Sequence, residues 1–385
     1  MQHKQISYDV AVIGGGLAGL SLSIQLSRLG HQVLLLEKEK YPFHKVCGEY
    51  ISMESWPFLE NLGVPLRQLG VPRINHLHLT APNGKLFATS LPLGGFGISR
   101  FTLDNLLFEI AKKEGVTILE ETKVQNVEVG EGSITLQATA KSLGAIAVTA
   151  KTVSGSYGKR SNLDIKWKRS FIEEQRPKLN NYIAVKYHVH TGWPVHIIGL
   201  HNFEGGYCGI SKVDGNAYCL CYLTTAACLQ AHDHSIAAME KEVLYKNPEL
   251  KSIFQNSTII SGFPLTISQI SFSKKTQTEK GILLLGDAAG MVTPLCGNGM
   301  SMALHSSKLA APLVHSFLQQ KITQQQMEQQ YRQQWQHHFA GRMRMGRTLQ
   351  TFFGSAAISN LFIGVFRQLP FLAAPVIRQT HGQPF

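Results

Sequence analysis

The sequence predicts an α/β fold in which a parallel sheet opens with a βαβ unit, is interrupted by an inserted antiparallel β-sheet, and is followed by a C-terminal helical segment. Three observations predict it. A glycine-rich turn joins a buried strand to a helix near the start, a second strand of the same buried kind returns only at residue 281, and the chain between them alternates strand-like and polar stretches.

Tyr8–Ile13 is a β-branched run, GGGLAG follows at 14–19, and Leu20, Ile24 and Leu26 repeat at helical spacing up to Gly30, a C-terminal glycine. Gln32–Leu36 is a second buried strand ending at Glu37. From Tyr41 the pattern breaks into loop and short helix around Cys47-Gly48-Glu49, and Asn75–Ser90 reads as a hairpin turning at Pro82-Asn83-Gly84. Phe101–Glu114 is a helix. Val116–Leu119, Val124–Val129 and Ser133–Ala140 are expected to form a small antiparallel meander, and residues 170 to 275 a second antiparallel sheet with one helix near Ser235–Tyr245. Gly281–Leu285 then re-enters the parallel sheet, before a helix over Gly299–Gln319. Ten glutamines crowd residues 319–336, yet Met327, Tyr331, Trp335 and Phe339 fall four apart on one helix face, which excludes a disordered tract. The expected organisation is therefore discontinuous: 1–74, 99–168 and 276–318 form the dinucleotide-binding domain, 75–98 and 169–275 the substrate sheet, and 319–385 a helical, basic and apolar cover.

Composition narrows the class. With 44% hydrophobic and 16% charged residues in 385, the chain buries a large core. Six cysteines with no C-x-x-C spacing form no secreted disulfide framework, so a reduced, cytoplasmic setting is expected. The formal charge is +12, and residues 318–385 carry Lys321 and six arginines against the single acid Glu328. The longest apolar run, Phe352–Phe366, has 15 residues, short of the roughly 20 that span a bilayer. Arg342, Arg344 and Arg347 with that run suit contact with an anionic membrane surface, or else a helix capping the substrate sheet. No nucleic-acid reader module is visible, and no nucleic-acid partner is expected.

Gly14, Gly16 and Gly19 give G-x-G-x-x-G after a strand and before a helix, the context a dinucleotide fingerprint requires. Gly14 permits the tight turn, Gly16 lets the backbone approach a pyrophosphate, and Gly19 allows close packing of helix and strand, with unpaired helix N–H groups facing the phosphates. Glu37, 18 residues after Gly19, is placed to accept hydrogen bonds from ribose hydroxyls.

The second site, GDAAGMVTPLCGNGM at 286–300, decides the cofactor by resemblance. With the N-terminal fingerprint, Asp287 after a buried strand resembles the FAD-dependent hydroxylase superfamily, and GDAAG, Pro294-Leu295 and GNGM resemble its geranylgeranyl reductase and FixC-like branch. The resemblance implies a glutathione-reductase-like FAD-binding Rossmann domain, with Asp287 on the ribityl chain, Gly297, Asn298, Gly299 and Met300 beside the flavin pyrimidine edge, and Pro294 among the cofactor-binding residues. A helix starting after Gly297 would aim its positive end at N1, where reduced flavin gathers charge. Arg100, in SRFTLDNLL, resembles the family's arginine near FAD. Gly205-Gly206-Tyr207 resembles the strand that lines the substrate cavity, and Cys47-Gly48 resembles the reductases' C-G-G loop, with Glu49 in its third position.

Departures from related patterns also count. The segment Val153–Ser161 resembles that of NADPH-using aromatic hydroxylases but has Tyr157 where their aspartate stands, so NADPH and a separate electron-donor protein both remain open as sources of electrons. Flavin halogenases share the fold, but their W-x-W-x-I-P signature is absent. His188 with His190, and His232 with His234, have metal-ligand spacing but no third ligand, and no metal is expected. The expected function is an FAD-dependent oxidoreductase acting on a large hydrophobic, isoprenoid- or polyketide-like substrate, leaning to hydride delivery from flavin N5 to a C=C bond. Hydroxylation of an aromatic or polyketide ring and a flavin-free lipid-binding module of the same fold are the alternatives. Cys47, Glu49 and Tyr207 are the candidate catalytic residues.

Overall fold

β1 (Ser7–Ile13) is buried over its last four residues, and its main chain hydrogen-bonds on both sides: to β2 (Val33–Leu36) and to β9 (Gly144–Gly155), both parallel. Between β1 and β2 runs α1 (Leu17–Arg28), whose Leu20, Leu22, Ile24 and Leu26 are fully buried. A computed structural model describes residues 7–173, 181–260, 264–293, 297–352, 355–380 and 382–385.

The first sheet continues outward from this core. β6 (Thr117–Leu119) joins the edge of β2 in parallel, and β17 (Ile282–Leu284) joins β9 in parallel on the other side, with β16 (Thr278–Glu279) beyond it. β7 (Thr122–Val129) and β8 (Ile134–Ala140) complete an antiparallel ladder with β9. The meander expected over residues 116–140 is corrected here. Its first member, β6, pairs β2 in parallel, since the chain reaches it from a helix and not from a hairpin turn: α3 (Arg100–Lys113), with Leu103, Leu107 and Ala111 buried, packs on α1 just before it. The return of residues 282–284 beside β9 brings Gly286 and Asp287 to the same sheet edge as the glycine turn.

The second sheet has the order β14-β10-β13-β12-β11-β4-β5-β3. It takes β3 (Tyr50–Ser52), β4 (Arg73–Thr80) and β5 (Leu86–Gly97) from the first third of the chain. β10 (Tyr182–His190), β11 (Ile197–Phe203), β12 (Gly206–Lys212), β13 (Tyr218–Thr225) and β14 (Thr258–Ile259) follow later, with β15 (Leu265–Ile270) pairing β10. The sheet therefore takes in Tyr50–Ser52 and Arg73 besides the stretch from residue 75. One of its faces is covered by α7 (Ile236–Glu242), α8 (Pro248–Gln255) and the turn between them, through Met239, Val243, Leu244, Leu250 and Ile253 against Val185, Tyr187 and Leu220. α6 (Ala226–Gln230) leads into them. The opposite face looks back at the first sheet.

Three further short helices are α2 (Trp56–Leu62), which contacts α1, α4 (Asn162–Lys166), which contacts β7, and α5 (Ser170–Glu173). α9 (Gly299–Leu318) packs on α1, and α10 (Gln324–Phe352) packs on α9. The four-residue stripe of α10 is its inward face: Met327, Tyr331 and Phe339 are fully buried and Trp335 nearly so, and the Tyr331 hydroxyl donates to the Leu284 carbonyl at 2.8 Å. The apolar run 352–366 is divided between two helices, since α10 ends at Phe352 and α11 is Ala356–Gln368; α12 (Ala373–Thr380) follows.

Candidate active site

The glycine turn places α1 so that its first N–H groups open into the seam. Gly14 has φ +99° and its Cα abuts the main chain at Ser156 and Tyr157, where a Cβ would meet the Ser156 carbonyl at 2.7 Å, so only glycine fits. Gly16 is the N-cap of α1 and offers no side-chain cap. A Cβ on Gly16 would stand 3.7 Å from both an Arg100 guanidinium nitrogen and Lys45 Nζ. Two cations thus lean over a helix N-terminus that already carries partial positive charge, an arrangement that an anion between them would relieve. That donor set fits the diphosphate of a dinucleotide.

Glu37 sits at the end of β2, buried, and accepts hydrogen bonds from the Gly15 N–H at 2.7 Å and the Glu39 N–H at 3.0 Å. These bonds fix the carboxylate without exhausting its acceptor sites, as ribose binding requires. Arg100 begins α3 and makes a two-pronged ion pair with Asp104, at 2.6 and 2.7 Å, while Lys45 reaches the same carboxylate at 2.9 Å. Burial would raise the Asp104 pKa, yet the charges of Arg100 and Lys45 hold it below the ordinary value. The pairing therefore orients both cations toward the glycine turn rather than placing Arg100 at the surface.

Asp287 follows β17 in a single 3-10 turn, Gly286–Ala288. Its main-chain carbonyl accepts a hydrogen bond from Lys275 Nζ at 2.9 Å, and the same ammonium reaches the Lys159 carbonyl at 2.9 Å. Burial pulls the Lys275 pKa down to about 8. Gly297 has φ +64° and faces the Tyr50 ring; Asn298 is the N-cap of α9, and Gly299 and Met300 are its first residues. The Asn298 side chain makes no cap bond, so this second helix N-terminus also presents main-chain N–H groups toward the seam. Pro294 lies outside the described residues.

The Cys47-Gly48-Glu49 loop crosses from the glycine turn to the second sheet. Glu49 is fully buried in the left-handed region, φ +55°, and its carboxylate has three partners. Oε1 accepts from Lys186 Nζ at 2.5 Å and from the Arg100 N–H at 2.8 Å, and Oε2 lies 2.6 Å from His188 Nε2. Burial opposes the charge, but the His188 hydrogen bond and the Lys186 ammonium keep the Glu49 pKa lowered. Burial would likewise depress Lys186, while the Cys219 sulfur and the Glu49 carboxylate push it up. Lys186 and His188 alternate on β10 on the face toward the seam, opposite Cys221 and Cys219 of β13, and the Cys219 thiol donates to the Cys47 carbonyl at 3.2 Å.

Sequence reasoning named Glu49 but missed Lys186 and His188, and read His188 as a partner of His190. His190 instead donates to the Asn216 carbonyl, and His232 to the Cys228 carbonyl. Among the described residues, donor atoms of Glu49, His188 and Cys219 lie within 4.8 Å of one another, but Lys186 occupies the same carboxylate. The signal for Lys186 was present in YIAVKYHVH, where a lysine interrupts a run whose neighbours on both faces are apolar. Tyr207 is buried with Ala184, Leu223, Phe272 and Met291, an apolar cluster on the same sheet face as Lys186. Cys47 keeps a partly exposed side chain. Tyr157 donates its hydroxyl to Asp164 at 2.9 Å, and Asp164 is also paired with the buried Arg169 at 2.8 Å.

A family model described as an FAD binding domain matches residues 7–316, and the chain belongs to that family. It is 25% identical over 354 residues to a digeranylgeranylglycerophospholipid reductase of Methanococcus vannielii, covering 87% of this chain and 84% of that one. It is 24% identical over 371 residues to conditioned medium factor receptor 1 of Dictyostelium discoideum, covering 90% and 70%. Among solved structures, a flavin-dependent brominase superposes with a TM-score of 0.79 at 19% identity, over 97% of this chain and 93% of that one. A geranylgeranyl bacteriochlorophyll reductase-like protein from Thermoplasma acidophilum superposes with a TM-score of 0.78 at 16% identity, over 99% and 97%. The fold is thus the glutathione-reductase-like FAD-binding type with a geranylgeranyl reductase-like branch of relatives. FAD is the cofactor, and the chain is an FAD-dependent oxidoreductase.

Proposed function

We propose that this oxidoreductase saturates a carbon–carbon double bond in a large isoprenoid-like substrate held between the second sheet and the flavin. The observation that carries the reading is the pairing of two environments on one sheet face: the apolar cluster of Ala184, Tyr207, Leu223, Phe272 and Met291 beside the pinned Cys47-Gly48-Glu49 loop. A relative named as a reductase of a geranylgeranyl lipid supports it.

FAD, when bound and reduced, would supply the hydride to one carbon, and a proton from a water or acidic group at the site would complete the other. The chain's own residues do the rest. Gly14, Gly16 and Gly19, with Arg100 and Lys45, hold the diphosphate; Glu37 takes the ribose, Asp287 the ribityl chain, and Gly297–Met300 the pyrimidine edge, with Pro294 in the same segment. Glu49 locks its loop against β10 and the start of α3, so the loop keeps one position beside the cofactor. Of the three candidate catalytic residues, Glu49 and Tyr207 are buried, while Cys47 is part-exposed. The apolar cluster excludes water from the reacting carbons. Residues 319–385 are the C-terminal cover, and the division into two interleaved domains is part of the same proposal.

The test is a single turnover without oxygen. FAD-loaded protein is photoreduced, mixed with a geranylgeranyl glycerophospholipid, and the lipid is analysed by mass spectrometry. Gain of two hydrogens per double bond supports the reading, and Cys47→Ala should slow that gain more than tenfold. An unchanged lipid without oxygen, together with incorporation of one labelled oxygen atom when O2 is admitted, would establish hydroxylation instead. Comparison of NADPH with a reduced ferredoxin as donor identifies the source of electrons.

A further inference from the structure

α11 and α12 form a bent pair, turned by 113° at a break, and neither is long enough to cross a bilayer: α11 has 13 residues, about 20 Å at helical rise against a hydrocarbon core of about 30 Å. α11 nevertheless has two apolar faces. Ile363 and Phe366 point inward, with Phe366 tilted against Phe87 of β5. Ile358 and Leu361 point outward, and the turn into α12 adds exposed Leu369, Phe371 and Leu372; Leu361 is 71% and Phe371 67% exposed. Five large apolar side chains thus face solvent on one short element.

The C-terminal segment itself carries charge of one sign, and the acid nearest to it in the described contacts is Glu204 of the second sheet, at the start of α11. After Glu328 the sequence contains no acid, while Arg344, Arg367 and Arg378 are exposed and have no ion pair among the described residues. The element is also tied to the substrate sheet. The Ala356 N–H donates to Glu204 at the β11–β12 turn at 3.0 Å, and the Asn83 N–H at the β4–β5 turn donates to the Asn360 side chain.

From this apolar ridge with its arginines we infer that α11, α12 and the turn between them dock the protein on an anionic phospholipid bilayer, lying in the interface with Leu361, Phe371 and Leu372 at the acyl boundary and the arginines at the headgroups. The bend suits an element that lies on the surface and does not span it, and the excess of arginines in the segment matches an anionic plane. The inference goes beyond the proposed reaction and stands whether or not that reaction is correct, because docking is read without substrate.

The experiment is co-sedimentation of the FAD-loaded full chain with sucrose-filled vesicles of phosphatidylcholine alone or of phosphatidylcholine with phosphatidylglycerol, at low and physiological salt. Wild type is expected to sediment with the anionic vesicles and at least tenfold less with the neutral ones. Leu361→Glu with Phe371→Glu should abolish binding while flavin content and melting temperature stay unchanged, since both positions are exposed. Arg367→Gln with Arg378→Gln should weaken binding to anionic vesicles about fivefold per arginine and reduce its salt dependence. Wild type remaining in the supernatant with both vesicles overturns the inference, as does unchanged binding of the Leu361→Glu, Phe371→Glu protein. Reversible dimerisation without vesicles that these variants abolish also overturns it and assigns the face to a second copy of the chain.

Discussion

Removing the Glu49 carboxylate is the sharpest perturbation the structure offers. Lys186 is 1% exposed and Glu49 fully buried, and the carboxylate is the anionic partner of that ammonium as well as the acceptor for the Arg100 N–H and the neighbour of His188. Glu49→Ala strands a buried charge, which costs about 3–5 kcal/mol. Lys186→Met removes the ammonium but leaves Glu49 with its main-chain and His188 partners, so the cost falls to about 1–3 kcal/mol. In Glu49→Ala with Lys186→Met both charges go together, and the double variant should be more stable than Glu49→Ala alone, with a coupling of roughly 2 kcal/mol between the sites. Urea unfolding of the flavin-loaded protein measures all three. The pH dependence carries a sign. Because the Glu49 pKa is lowered on folding, its contribution is full above the ordinary carboxylate value and is lost as acid titrates below it; because the Lys186 pKa is raised, its contribution is full below the ordinary lysine value and is lost only as alkali passes the raised one. Glu49→Ala should therefore flatten the acid limb. A Glu49→Ala protein within 1 kcal/mol of wild type, or a double variant destabilised by the full sum of the singles, would refute the reasoning.

Three further outcomes follow from the same geometry. Gly16→Val should abolish FAD retention while the apoprotein melts near wild type, because its side chain enters the space between Arg100 and Lys45; Gly19→Ala should instead fail to fold, since its Cβ would overlap the Gly14 carbonyl. Asp287→Ala should yield soluble protein that loses its flavin on gel filtration, and retention at wild-type affinity would count against the ribityl assignment. Lys275, with its pKa pulled down to about 8 by burial, binds a proton more readily unfolded than folded between that value and the ordinary lysine range, so stability should rise with pH from about 8 upward; Lys275→Met should remove that rise from the urea midpoints, and an unchanged slope would show that another group titrates.

Sequence alone determined those parts whose physics is local. A glycine turn between a buried strand and a helix has one use at that spacing, a four-residue apolar stripe specifies a helix face whatever the glutamines around it, and a buried strand ending in Gly286-Asp287 announces a return to the parallel sheet. Each of these rests on residues a few positions apart. Tertiary structure decided what depends on distant partners: that Lys186 and His188, some 140 positions after Glu49, close on its carboxylate, that β6 leaves the antiparallel ladder for the parallel edge, and that Ile358, Leu361 and Phe371 face outward. Strand periodicity tells which residues share a face but not which face meets another element, and helix periodicity cannot say which of two apolar faces the rest of the chain will cover. Only packing settles those choices, because burial free energy belongs to the contact and not to either residue that makes it.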